Sequence, residues 1–344
     1  MPEHNFTFER YYKIAAGIGL AMFAVGLIFY SIILNWKIDC EHPERPITIE
    51  RGSSATAVAQ LLKQESCLKN TGIFKLALSM TMKNRSIRPG RYNLKGISSM
   101  GQLVKVISSQ STDRVKITLV EGWTVEQYAA ELKEKLQIDS FEFMRLNQDY
   151  DFIHALNIDA PSLEGFLFPD TYILLKTYTE EEIIEILVNQ FTHNKRNLLK
   201  EHRPVQPLNM WEITTLASII QGEAIHDDEM PIISSVYHNR LNNNMLLQAD
   251  PTIQYIIPGP NRRLFNKDYL RYRDNPYNTY SHKGLPPGPI NSPGFHAIKA
   301  AAYPVNTSFL FFVAKGNNQH YFTENERDHI NAKNKYLKDL WDKP

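Results

Sequence analysis

Ile47-Thr48-Ile49, Gly52, Ser54, Ala59 and Leu62 return 70 residues later as Ile117-Thr118-Leu119, Gly122, Thr124, Ala129 and Leu132. Each copy reads as a strand, a glycine turn, a Ser or Thr helix cap and an amphipathic helix, which are the start signals of a βα unit. Two copies are open to two explanations: duplication, or the residue types that any short βα unit requires. Both give the same fold class, α+β, with a small α+β module over residues 45–112.

Upstream of the first copy, Ile14 to Leu34 is an apolar run flanked by Arg10 and Lys13 before it and Trp36 and Lys37 after it. At ~1.5 Å of rise per residue such a run crosses the ~30 Å hydrocarbon core of a bilayer. A cleaved signal peptide is the alternative, but the run is longer than a usual h-region and no clear A-x-A-like site follows. The expectation is a single transmembrane anchor over 14–36, with 1–13 as a cytoplasmic tail. Basic residues stand on both sides, so the charge bias is weak. A short tail ahead of a large remainder is nevertheless the arrangement of a signal anchor with an exported C-terminus. Cys40 and Cys67, the only cysteines, lie beyond the helix, where they either pair in an oxidising compartment or remain free thiols. Past the anchor, Glu41 to Pro46 reads as a Pro- and charge-rich stalk.

Downstream, 113–344 is expected to be one mixed α/β domain. Residues 141–203 look helical and charged, with an amphipathic stretch from Glu180 to Phe191, and are expected to brace it. From Pro207 onward Asn, Pro, Gly and aromatic residues separate short apolar helices, the composition of a cleft built by loops on a scaffold.

Composition excludes several functions. The 38 Lys+Arg nearly cancel the 37 Asp+Glu, so no global field recruits a polyanion, and no nucleic-acid motif appears. The eleven histidines contain no H-E-x-x-H, and His226-Asp227-Asp228-Glu229 lacks metal-loop spacing, so no metal is expected. There is no G-x-S-x-G elbow, no phosphate-binding G-x-x-x-x-G-K-[ST] and no Cys/His dyad. Acid/base chemistry on a carboxyl group remains.

The leading candidate is Glu223. Leu216, Ile219, Ile220 and Glu223 recur at i, i+3, i+4 and i+7, one face of a helix. A carboxyl ending an apolar stripe is partly desolvated, which disfavours its charged form and lifts its pKa toward the range of a general acid. Periodicity alone favours a Glu223 that points into water beside Gly222, so the assignment needs support from elsewhere in the chain. The segments downstream hold Asn239 and Arg240, Gln248 and Asp250, and Tyr277, Asn278 and Tyr280. Such sets bind sugars, with aromatic faces on the apolar side of a pyranose and forked hydrogen bonds to hydroxyl and N-acetyl groups. Gly284-Leu285-Pro286-Pro287-Gly288-Pro289-Ile290 is a stiff loop, too rich in fixed φ to be helix or central strand. Upstream, Glu164 and Asp170 stand among aromatics and are further candidates for the same cleft. A two-carboxylate glycosidase would need Glu164, Asp170 or Asp250 at ~5 to ~9.5 Å from Glu223; bracing of loops is the expectation for Asp170 and Asp250.

Taken in order, Leu163-Glu164-Gly165 with Phe168-Pro169-Asp170-Thr171, then Leu216-Ala217-Ser218-Ile219-Ile220 ending at Glu223, resemble the MltG (YceG-like) endolytic murein transglycosylases. Asn239-Arg240-Leu241, Leu247-Gln248 with Asp250-Pro251-Thr252, Tyr277-Asn278-Thr279-Tyr280, Gly284-Leu285-Pro286-Pro287-Gly288 and Pro293-Gly294 come next in the family's order. Members often carry E-x-E where this chain has Gln221 and Glu223. Glu223 matches the second acid; were the first the catalytic one, this chain would be inactive. The resemblance implies lytic cleavage of the MurNAc-β-1,4-GlcNAc bond within nascent strands. It also implies Glu223 as acid and base, no cofactor, and a LysM-like role for 45–112. The implied setting is the cell inner membrane with the C-terminal domain in the periplasm, and the implied partners are peptidoglycan strands and the cell-wall synthesis machinery. A conventional hydrolase and a non-catalytic glycan-binding scaffold are the alternatives.

Overall fold

The computed structural model describes residues 4–43, 45–50, 52–81, 87–108, 114–201, 208–316 and 318–341. The expected boundary at 112/113, the composition shift at Pro207 and the first three residues of the tail lie outside these. The chain forms two compact units, Met1–Arg114 with Leu175–Thr179, and Val115–Leu174 with Glu180–Pro344. All the sheets among the described residues are two-stranded, so the class is α+β, and the larger part is helices around two short two-stranded sheets rather than one larger mixed sheet.

The first unit begins with α1 (His4–Leu34), of which Lys13–Leu34 is long and apolar enough to cross a membrane. Its large side chains, such as Leu20 and Met22, have no protein cover, whereas Ile33 and Ile38 are buried with the module's core. Then come β1 (Ile47–Ile49), α2 (Ala55–Gln64), α3 (Thr71–Met80), β2 (Gly90–Tyr92) and α4 (Met100–Ser108). β1 and β2 pair antiparallel, Ile47 opposite Tyr92. Ile47 and Ile49 are buried and Thr48 exposed, the period of two of a strand with one covered face. Ser54 caps α2 by accepting from the Ala57 N–H at 3.1 Å. Val58, Leu62, Phe74, Leu78, Leu103 and Ile107 fill the core. Cys40 and Cys67 form a disulfide.

The second unit contains β3 (Arg114–Thr118), α5 (Val125–Leu136), α6 (Ser140–Leu146), α7 (Tyr150–Ala155), β4 (Thr171–Leu175) and α8 (Glu180–Glu201). It continues with α9 (Met210–Glu223), α10 (Met230–Asn242), α11 (Asp250–Ile256), α12 (Asn266–Arg271), α13 (Phe295–Ala302), β5 (Phe311–Ala314), β6 (His320–Thr323) and α14 (Glu326–Trp341). The second βα copy forms as its residues dictate: Gly122 turns at φ +80°, and Thr124 and Gln127 close a capping box on α5. Residues 141–203 are not wholly helical. Helix α7 ends at Ala155, turns follow, and the β-favouring Thr171-Tyr172-Ile173 opens β4, which pairs with β3.

Helix α9 is the centre of this unit, packed by α10, α11 and α13. The expectation of a single apolar stripe is too narrow, because every residue from Ile213 to Ile220 is buried. Its buried hydroxyls are satisfied within the helix, Thr214 donating to the Met210 carbonyl (2.7 Å), Thr215 to Trp211 (2.8 Å) and Ser218 to Thr215 (2.7 Å). The Pro-rich loop covers the side that a stripe would have left to water. The Trp211 indole N–H donates to the Pro287 carbonyl at 3.1 Å, and the Ile290 N–H donates to Ser218 Oγ at 3.0 Å. Asn291 donates to the Ser218 carbonyl at 2.8 Å, and the Gly294 N–H to Gln221 Oε1 at 2.9 Å. The loop is therefore a strap along α9 from its first turn to its last.

Candidate active site

Glu223 ends α9, where the strap ends too. Its residue is half-buried, and Tyr237 from the middle of α10 donates its phenol to Oε1 at 2.9 Å. Burial pushes the Glu223 carboxyl up to about 7; the Tyr237 hydrogen bond opposes this, the charge of Asp250 adds to it, and the Arg240 guanidinium opposes it. Desolvation dominates because a carboxylate loses more hydration than one phenol returns. No protein donor reaches Oε2 among the described residues. A carboxyl with one oxygen fixed, one free and a pKa near neutrality can give and then take a proton.

Asp250 opens α11. Its Oδ1 accepts from both Tyr280 (2.6 Å) and Tyr269 (3.0 Å), whose rings lie 4.5 Å apart. Tyr280 also feels the charge of Glu223, so these groups share one site. Tyr277 stands against Tyr255 with ring centroids 5.2 Å apart, and both phenols feel the charge of Glu164 rather than that of Glu223 or Asp250. Gln248 is exposed at φ +50°, its backbone N–H donating to the Thr279 carbonyl at 3.1 Å.

Other residues expected to meet sugar are engaged within the protein. Asn239 donates to the Thr307 (2.8 Å) and Phe309 (2.9 Å) carbonyls. Arg240 is buried; it donates to the Leu310 (2.7 Å) and Leu247 (2.8 Å) carbonyls and lies over the Phe311 ring. Asn278 is wholly buried, donating to the Tyr269 and Tyr272 carbonyls and accepting from the Tyr280 N–H. These three hold the walls rather than line them, and Arg240 contributes charge at a distance.

The upstream carboxylates also find protein partners. Glu164 is buried at the start of α5, accepting from the Val125 N–H at 3.2 Å, and burial pushes its carboxyl up to about 8. Asp170 accepts from the Thr171 N–H (2.7 Å) and from Gln190 on α8 (2.9 Å), so it braces β4 as a loop carboxylate would. Neither is among the charges acting on Glu223.

Gln221, the departure from E-x-E, turns to other partners. Its Oε1 accepts from the Gly294 N–H, and its amide lies near Glu121, a carboxyl that burial and the charge of Asp227 push up. The sequence reading did not assign Tyr237, Tyr269 or Glu121 to the site. Tyr237 stands within the motif that supplied Asn239 and Arg240, and only its fixed spacing from Glu223 across the α9–α10 turn could have singled it out.

Among the described residues no group of three or more His, Cys, Asp or Glu side chains is arranged to hold a metal ion. The comparisons with known proteins agree with one another. The YceG-like family pattern matches residues 47–335. An endolytic murein transglycosylase of Bacillus subtilis (strain 168) is 31% identical over 307 residues, covering 85% of this chain and 84% of that protein. One from Streptococcus pneumoniae serotype 2 (strain D39) is 28% identical over 360 aligned positions, covering 91% of this chain but 64% of that longer protein. A crystal structure of a YceG-like protein from Listeria monocytogenes superposes with a TM-score of 0.56 at 28% identity, covering 83% of this chain and 98% of that one. With the family pattern matching most of its length and a relative 31% identical over most of both proteins, the chain belongs to the YceG-like family.

Proposed function

We propose that this protein is a membrane-anchored endolytic peptidoglycan lytic transglycosylase with Glu223 as its acid and base. The observation that carries the reading is the Glu223 carboxyl itself: raised to about 7, pinned through Oε1 by Tyr237, with Oε2 open at the end of α9. Glu223 protonates the glycosidic oxygen of a MurNAc-β-1,4-GlcNAc bond, and the C1–O bond breaks, releasing GlcNAc with a free 4-hydroxyl. The C6 hydroxyl of MurNAc then attacks C1 and returns its proton to the ionised Glu223, closing a 1,6-anhydro ring. The proton given out comes back, and no water is consumed.

Tyr277, Tyr280, Gln248 and Asp250 are the residues we assign to glycan contact, with Asn239, Arg240 and Asn278 holding the walls that present them. The order β1-α2-α3-β2 supports a LysM-like, strand-holding role for the module at 45–112, ahead of a catalytic domain at 113–344. The Cys40–Cys67 disulfide supports an exported, oxidising location for the chain beyond α1, the periplasmic face of an inner membrane in a two-membrane cell. An anchor there keeps cutting close to where new strands emerge, as a terminator of strand elongation beside the synthesis machinery.

The test is full-length protein in detergent, wild type and Glu223→Gln, incubated with peptidoglycan and analysed by mass spectrometry. Anhydro-MurNAc ends from the wild type alone are expected. Reducing ends would make it a hydrolase, equal release by the variant would remove Glu223 from its role, and silence from both with retained glycan binding would make it a scaffold.

A further inference from the structure

Glu223 alone accounts for the proton but not for the charge. As the C1–O bond breaks, positive charge grows at the anomeric carbon of MurNAc, and a fixed negative group beside it stabilises that state more than the neutral ground state. Among Glu164, Asp170 and Asp250, only Asp250 is in position. Gly222 meets Pro251 so closely that a Cβ on the glycine would lie 2.6 Å from the proline's Cβ. That contact sets Glu223 and Asp250, the neighbouring residue on each chain segment, at the same junction of α9 and α11.

We propose that Asp250 is a second catalytic carboxylate of the lytic reaction, held by Tyr269 and Tyr280 through Oδ1 so that Oδ2 faces the sugar and stabilises the charge developing at C1. Two phenols on one oxygen fix the carboxylate's rotation, at 2.6 and 3.0 Å. Both phenols are held above their ordinary range by burial, so they remain donors and do not compete as anions. No protein donor reaches Oδ2 among the described residues, and the residue is exposed. Asp250 forms no bond to carbon: the C6 hydroxyl remains the nucleophile, and the electron pair of the broken bond stays on the leaving oxygen that Glu223 protonates. The inference rests on the lytic reading of the site.

The charged and titratable groups facing Glu223 are Tyr237 and Arg240 from α10, Asp250 from α11 and Tyr280 from the loop beyond α12. Two substitutions therefore move its proton in opposite directions. Asp250→Asn removes a like charge, so the alkaline limb of kcat moves to lower pH; Tyr237→Phe removes a donor to the ionised form, so the limb moves to higher pH. The experiment measures kcat, KM, pH profile and products for the full-length wild type, Asp250→Asn, Tyr237→Phe and the Tyr269→Phe/Tyr280→Phe double variant. Expected for Asp250→Asn is a kcat lower by about 10²-fold or more with KM within about 3-fold, anhydro ends as the only products, and the limb displaced downward. The double variant, which keeps the carboxylate but frees its rotation, is expected to lose about 10-fold in kcat. The proposal is overturned by an Asp250→Asn kcat within about 3-fold of wild type, by a loss confined to KM, or by an unmoved limb. If Asp250→Asn does not fold, a double variant of full activity overturns it alone. Reducing ends from the wild type would instead sink the lytic reading, and a glycosyl ester trapped on Asp250 would make that residue a nucleophile.

Discussion

Gly222 and Pro251 are in van der Waals contact, and a Cβ on Gly222 would stand 2.6 Å from Pro251 Cβ and 2.8 Å from its Cγ. The pyrrolidine ring is rigid and begins α11, so the clash can be relieved only by moving α11 off α9. Alanine would otherwise favour the helix by about 1 kcal/mol. Gly222→Ala is therefore expected to change the melting temperature little while separating Glu223 from Asp250. A displacement near 1 Å at a reacting centre costs on the order of 10²-fold in rate. Paired thermal melts and initial rates on peptidoglycan check this; a rate loss no larger than the loss of folded protein would show that the contact is only structural.

Glu164 makes stability depend on pH. Its folded carboxyl is raised to about 8 by burial, against an ordinary value near 4.5. A raised folded pKa means the native state holds the proton more tightly, so this contribution is complete below pH ~4.5 and is lost as pH rises through about 8. Glu164→Gln keeps an oxygen for the Val125 N–H without an ionisable proton. It is expected to be more stable than wild type at pH 9, by on the order of a few kcal/mol, with the difference gone at pH 5. Denaturant unfolding at the two pH values measures it, and parallel pH dependence in both proteins would refute it.

The range of an interaction decides whether the sequence shows it or hides it. The βα copies were legible because caps, glycine turns and strand alternation are local: Ser54, Gly52, Thr124 and Gly122 each act within a few residues of themselves. Periodicity placed Glu223 at the end of an apolar run but left its direction open, and the downstream polar segments and the family resemblance were what singled it out. Asn239, Arg240 and Asn278 carry the chemistry of sugar ligands, yet their donors meet carbonyls up to 70 residues away in sequence, and residue type says nothing of that direction. The single stripe on α9 failed for a similar reason, since the covering strap at 286–294 is remote in sequence. Tyr237 and Tyr269 are phenols in helices, where a packed ring is the ordinary reading, and only the tertiary fold turns their hydroxyls onto Glu223 and Asp250.

The β5–β6 hairpin supports the site from behind. Glu229, buried at the start of α10, accepts from the His320 backbone N–H and ring Nδ1, both at 2.9 Å, and the Phe312 ring meets both His320 and Tyr237 edge to face. His320→Ala leaves Glu229 without its side-chain donor and Phe312 without one neighbour. A loss of about 1 to 3 kcal/mol is expected, with a kcat reduction smaller than that of Tyr237→Phe, since the Tyr237 hydroxyl itself is untouched. Chemical denaturation and rate measurements on the same samples check both; a kcat loss equal to that of Tyr237→Phe would mean that the hairpin, rather than α10, positions the phenol.

Gln221 separates the two readings of the E-x-E position. Its Oε1 holds the Gly294 N–H and its amide faces the Glu121 carboxyl. A glutamate there keeps the first contact, but it sets two carboxyls together, and like charges at that range cannot both ionise without cost. Gln221→Glu is thus expected to share one proton with Glu121 at low pH and hold the strap, then to loosen it as pH rises and that proton leaves. Activity near pH 5 should stay within a few-fold of wild type and fall more steeply toward pH 8, where wild type loses only what Glu223 loses. If the first acid of the pair were the catalytic one, the outcome would be the reverse: wild type inert at every pH, and Gln221→Glu the variant that releases anhydro ends.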